Sequence, residues 1–196
     1  MRLAATLSLA FLSVSIPAAQ RGDQQDLQRR FEEAERRIVR LPPAAFLELP
    51  ANLVRELQRR GCTVPQAKYF KQPHNVIQGS FAKPGQKDWA VLCSVRDVST
   101  ILVFWGGAPD NTAELATDRD SNHLQVVDAE APPHYCRAIR LAEHNQVTAL
   151  LKDYTGAKPS SVRHQGIEDA DIEKLSKTWY FHAGRWLELV DAEGAE

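Results

Sequence analysis

Asp88-Trp89-Ala90-Val91-Leu92-Cys93-Ser94-Val95-Arg96-Asp97-Val98-Ser99-Thr100-Ile101-Leu102-Val103-Phe104-Trp105 decides the fold class. Two β-branched and aromatic runs, Trp89 to Ser94 and Ser99 to Trp105, flank the short polar break Val95-Arg96-Asp97, the pattern of a hairpin. Period-two alternation places Trp89, Val91 and Cys93 on one face and Ala90 and Leu92 on the other. Ile101 to Trp105 is apolar throughout, which predicts a central strand covered on both faces.

Upstream, Val76 to Phe81 predicts another strand, joined through Lys83-Pro84-Gly85-Gln86-Lys87. A helix is expected over Pro50 to Arg60, with Pro50 in the first turn and Gly61 just past the end. Its buried face would be Leu53, Val54 and Leu57. Downstream, Gly106 to Asp120 reads as a polar loop, and His123 to Val127 and Tyr135 to Leu141 as two strands. Asn145 to Tyr154 reads as a short helix. Lys158 to Gly166 reads as a loop, and Ile167 to Leu175 as an acidic, weakly helical segment. Thr178 to Leu189 is the clearest hairpin, turning at Ala183-Gly184. Ala183 resists a positive φ, so Gly184 is expected to take the left-handed position of a bulged turn. The expectation is an α+β domain, an antiparallel sheet of five to seven strands with helices packed mainly on one face.

The chain has 196 residues, 43% hydrophobic and 25% charged, with a net charge of −1. That composition excludes a disordered chain, and the balance argues against a surface built for nucleic acid. Arg2 followed by the uncharged run Leu3 to Ile16 and then Pro17-Ala18-Ala19 has the shape of a signal peptide over residues 1–19, cut near Ala18 or Ala19. The run is too short to span a bilayer, so no membrane span is expected after cleavage. The protein is therefore expected in the periplasm or outside the cell. Residues 20–41 form a charged amphipathic helix or linker with a thin stripe of Leu27, Phe31, Ala34 and Ile38. Arg21-Gly22-Asp23 spells an adhesion tripeptide and is read as chance. Residues 42–196 are expected to make one domain. In an oxidising compartment, Cys62 and Cys93 are the preferred disulfide, leaving Cys136 over.

Four stretches, Leu57 to Gln66, Asn75 to Phe81, Asp88 to Ser94 and Tyr180 to Trp186, together resemble a family of exported bacterial proteins that carries no established activity. Gly79-Ser80-Phe81 with Asp88-Trp89-Ala90-Val91 is similar to one FG-GAP or VCBS-type propeller repeat. In such repeats the intervening turn holds calcium through aspartates. Here it carries Lys83 and Lys87 and no carboxylate before Asp88, so no metal or other cofactor is expected.

No catalytic residue is assigned. The histidines form no HExxH pair, and Cys136 lies two residues from His134, which would allow an activated thiol only on an extended strand. Asp169, Asp171 and Glu173 read as a solvated acidic face. The preferred function is a non-enzymatic binding or protein-interaction module. Its surface would be the terminal hairpin, with Tyr180, His182, Arg185 and Trp186 meeting a protein, peptide or glycan. The alternatives are a hydrolase gathered from His164, Glu168 and His182, and an accessory domain of an envelope assembly.

Overall fold

The structure, a computed structural model, describes residues 18–126, 131–172, 174 and 176–190. The expected leader thus lies outside the described residues, apart from Ala18 and Ala19. Among the described residues, three α-helices and twelve strands build an α+β fold.

Helix α1 (Ala18–Arg36) contains the backbone of Arg21-Gly22-Asp23. The C-terminal half of the expected stripe docks: Ala34 and Ile38 are buried with Ala67, Leu124 and Tyr135, whereas Leu27 is exposed. The chain then forms β1 (Arg40–Leu41), helix α2 (Ala51–Arg59) and β2 (Val64–Pro65), with β1 and β2 paired antiparallel. Pro50 precedes α2 and Gly61 follows with φ of 72°, as the sequence predicts. Leu53 and Leu57 are wholly buried and Val54 partly so, each full burial contributing roughly 1.5–3 kcal/mol.

A first four-stranded sheet follows in the order β3 (Val76–Gly79), β4 (Asp88–Val95), β5 (Val98–Phe104), β6 (Thr112–Arg119). The faces of β4 are as expected: Trp89, Val91 and Cys93 pack under α2, and Ala90 and Leu92 face the other way. β5 is central and apolar on both faces. The expected loop from Gly106 to Asp120 is instead mostly the edge strand β6. Only Leu115 of that strand is buried, and Ala116 adopts φ of 53° at a register shift, so no alternation survives to mark it.

Two short strands, β7 (Leu124–Gln125) and β8 (His134–Tyr135), pair with each other. A second four-stranded sheet comprises β9 (Arg137–Ala142), β10 (Gly166–Asp171), β11 (Ser176–His182) and β12 (Arg185–Val190), in the order β12-β11-β10-β9, with helix α3 (His144–Leu150) between β9 and β10. The expected single sheet of five to seven strands is therefore corrected to four sheets of two to four strands. The helices do not share a face either. α2 covers the outside of the first large sheet, and α3, through Val147, covers the outside of the second. Ile77, Phe81, Leu92, Ile101, Ile139 and Ile167 fill the space between the sheets.

One seam of this sandwich is closed by Asn75. Its Oδ1 accepts from Ile139 N at 2.9 Å and its Nδ2 donates to Arg137 O at 3.3 Å, so the side chain satisfies the backbone edge of β9. Asn75 is buried with φ of 73°, a conformation asparagine tolerates better than most residues.

Candidate functional site: a cleft between the sheets

In β9, Arg137, Ile139 and Leu141 point into the sandwich, and in β10 Ile167, Asp169 and Asp171 do the same. The segment expected to be weakly helical is thus a strand. Its carboxylates are answered by bases distant in sequence. Arg137 Nε and Nη2 donate to the two oxygens of Asp169 at 2.8 and 2.9 Å, a bidentate pair. Arg140 donates to Glu168 at 2.8 Å on the other face, and His123 Nδ1 lies 2.7 Å from Asp171 Oδ1.

His123, Arg137, Asp169 and Asp171 line a cavity of about 810 Å³, the size of a small-molecule site. β6 supplies one wall through Ala116, Thr117 and Asp118. The second sheet supplies the other, with Lys177 and Trp179 of β11 and Val190 of β12. Arg137 is 1% exposed. Burial works against its charge, but the Asp169 hydrogen bonds and charge outweigh that, and the guanidinium pKa is held above its ordinary value. Nη2 also donates to Ala116 O, tying the guanidinium to the opposite sheet.

Three buried nitrogens on this cleft have no hydrogen-bond partner: Arg137 Nη1, Trp179 Nε1 and His123 Nε2. The last is 3.4 Å from Asp118 Oδ2, within ion-pair range but without hydrogen-bond alignment. Leaving such groups unpaired costs about 1–3 kcal/mol each. Lys177 is held by Glu188, and Lys174 makes no ion pair among the described residues. The site is therefore a mostly apolar cleft with two unpartnered N–H donors, those of Arg137 and Trp179, among its lining residues.

No known protein family, curated protein or solved structure matches this chain.

The residues singled out in the sequence fall elsewhere. Tyr180, His182 and Arg185 share the outer face of the terminal hairpin, where Arg185 lies directly across from His182. Trp186 is on the inner face, stacked on Trp105 at 5.5 Å and edge-on to Phe181. Tyr180 is 1% exposed, and its ring stacks on His164 at 4.4 Å. Both turn residues have positive φ, 49° at Ala183 and 80° at Gly184, so the turn is a two-residue primed turn rather than a bulge.

His164 and His182 line one small pocket, but Glu168 does not, being engaged by Arg140. Among the described residues no group of three or more His, Cys, Asp or Glu could hold a metal ion. Asp88 is wholly buried and accepts from the backbone N–H of Phe81, Ala82 and Gly106 and from Gln86 Nε2. Cys62 and Cys93 are disulfide-bonded, pinning the end of α2 to β4. Cys136 is buried outside that bond, its thiol directed at His134 O at 3.3 Å, while His134 Nε2 meets Tyr69 Oη.

Arg137, His123, Asp169 and Asp171 were not grouped from the sequence. Their signal is phase: a charged residue in step with Ile139 and Leu141, and two more in step with Ile167, mark charge on a buried face.

Proposed function

We propose that this is an exported, non-enzymatic binding protein whose ligand seats between the two large sheets. One observation carries the reading: two buried N–H donors without partners, Arg137 Nη1 and Trp179 Nε1, belong to side chains that line a single cleft. Buried donors are ordinarily paired, and a ligand acceptor is the economical partner for these two. The ligand would present a carbonyl or carboxylate to Arg137 Nη1 and Trp179 Nε1, and an apolar body to Trp179, Val190 and Ala116. Export is supported by the Cys62–Cys93 bond, which belongs to oxidising compartments, and no described helix is long and apolar enough to cross a membrane. The binding surface thus moves from the hairpin residues Tyr180, His182, Arg185 and Trp186 to the cleft, whose ligand needs an acceptor group.

The reading is tested with benzoate and benzamide, two flat probes with an acceptor, followed by thermal shift. Both should raise the melting temperature of the wild-type protein and leave Arg137→Met/Asp169→Leu unmoved. Absence of any shift, or an equal shift in the double variant, removes the support for the cleft.

A further inference from the structure

On the opposite face of the second sheet, beyond α3, the segment from Pro159 to Gln165 crosses the outer side of the terminal hairpin. It encloses a pocket of about 280 Å³ with the turn around Lys83. The walls carry Lys83, Arg163, His164 and His182 together with the hydroxyls of Ser160 and Ser161, and no aspartate or glutamate. The chain's charges nearly cancel overall, so a pocket lined by basic groups alone concentrates positive charge locally. Arg185, in register with His182, adds a further cation at the rim.

The pocket is held in shape before any ligand arrives. His164 is 7% exposed and stacked on Tyr180, and its Nδ1 lies 3.0 Å from Gln165 O. A carbonyl oxygen only accepts, so Nδ1 carries the proton and Nε2 is the ring nitrogen left for other contacts. Gln165 locks the segment to β3's end: its backbone N–H donates to Ser80 O at 2.9 Å and its Oε1 accepts from Ser80 N at 3.1 Å. Arg163 N donates to Tyr180 Oη, and Arg163 Nε donates to Ser161 Oγ at 3.0 Å. Neither Lys83 nor Arg163 makes an ion pair among the described residues, so both charges remain available.

From this arrangement we infer a second binding site, separate from the cleft, for a tetrahedral oxyanion, a phosphate or sulfate group. Several donors line a small open pocket suited to a compact anion, with two positive charges free of ion pairs among the described residues and hydroxyls to share its oxygens. The same chemistry is offered by free phosphate and by a phospholipid headgroup.

The test follows the backbone amides of residues 160–165 by NMR while the full protein is titrated with inorganic phosphate, then with inorganic sulfate. A parallel arm measures co-sedimentation with vesicles of phosphatidylglycerol in phosphatidylcholine, against phosphatidylcholine alone. Saturable shifts are expected, weakened about tenfold by Lys83→Gln or Arg163→Gln, the loss typical of one charge-assisted hydrogen bond. Arg29→Gln, on exposed α1, should change nothing. Response to the free ions assigns the source as soluble anion, and response to anionic vesicles alone assigns it as headgroup; both support an oxyanion site. No response in any arm, or an unchanged response in the Lys83→Gln/Arg163→Gln double variant, overturns it.

Discussion

Replacing Asp169 with alanine removes the carboxylate that forms the bidentate pair with the Arg137 guanidinium. The arginine side chain is 1% exposed and that of Asp169 10%, so water cannot take over the lost contacts. Breaking a buried pair from one side costs about 3–5 kcal/mol, because the remaining charge stays desolvated. Two of the Asp169 hydrogen bonds disappear, and Ala116 O is then the sole named protein acceptor left to the guanidinium. For a chain of this length, each kcal/mol lowers the melting temperature by about 2–4 °C, so the variant should melt on the order of 10 °C lower. Removing both charges in Arg137→Met/Asp169→Leu should recover most of the loss, since the desolvation of each ion is removed with it. Urea unfolding of the three proteins, with m-values checked for constancy, measures this. An Asp169→Ala cost below about 1 kcal/mol, the range of an exposed pair, would refute the claim that this ion pair is buried and structural.

Ala183→Asn should stabilise the terminal hairpin by about 1 kcal/mol, because both turn residues hold positive φ and asparagine-glycine suits a primed turn. A fall in the melting temperature would show that the turn has another geometry. Cys62→Ala/Cys93→Ala should lower stability by about 3–4 kcal/mol in the chain-entropy model, for a sequence separation of 31; an unchanged denaturation midpoint would mean the bond does not form in solution. His74 supplies a pH dependence. Burial lowers its pKa below the ordinary 6.5 against the raising influence of the Gln72 carbonyl, and its Nε2 accepts from Ala67 N at 2.8 Å. The unfolded chain then binds a proton that the folded one resists, so this contribution is complete above about 6.5 and is lost as pH falls toward the folded value. His74→Gln should flatten the stability profile between pH 7 and pH 5, and an identical profile in the variant would contradict the assignment.

Local pattern made the hairpins and α2 legible. Trp89 to Ser94, Ser99 to Trp105 and the terminal hairpin alternate or run apolar strongly enough to fix strand and facing from composition. Two elements escaped for opposite reasons. β6 buries only Leu115, with the small Ala113 and Ala116 packed partly against the core, and breaks its alternation at Ala116, so its residues read as a loop. β10 looks like a solvated acidic run because the side chains that engage it, Arg137, Arg140 and His123, lie 28 to 48 residues away. The strongly apolar strands were readable, but the full count of twelve described strands and their partnership were not. Apolar runs say that a strand is buried without saying which sheet it joins, and the division into two sheets depends on long-range pairings such as Asn75 with β9. The cleft was hidden for the same reason. Its lining draws on the 3₁₀ turn at Asp120–His123, on β9 and on β11, and only the folded chain brings these together. The hairpin aromatics were visible as a group, yet their division between inner and outer faces follows from the register of the primed turn.

The indole N–H of Trp179 is the most direct reporter of the cleft. Assigned by its loss in Trp179→Phe, its ¹H–¹⁵N signal should move downfield as benzoate or benzamide is added, as the buried donor gains an acceptor. If that signal stays fixed while either probe is shown to bind, the unpartnered nitrogens are not a ligand site and the proposed function is wrong.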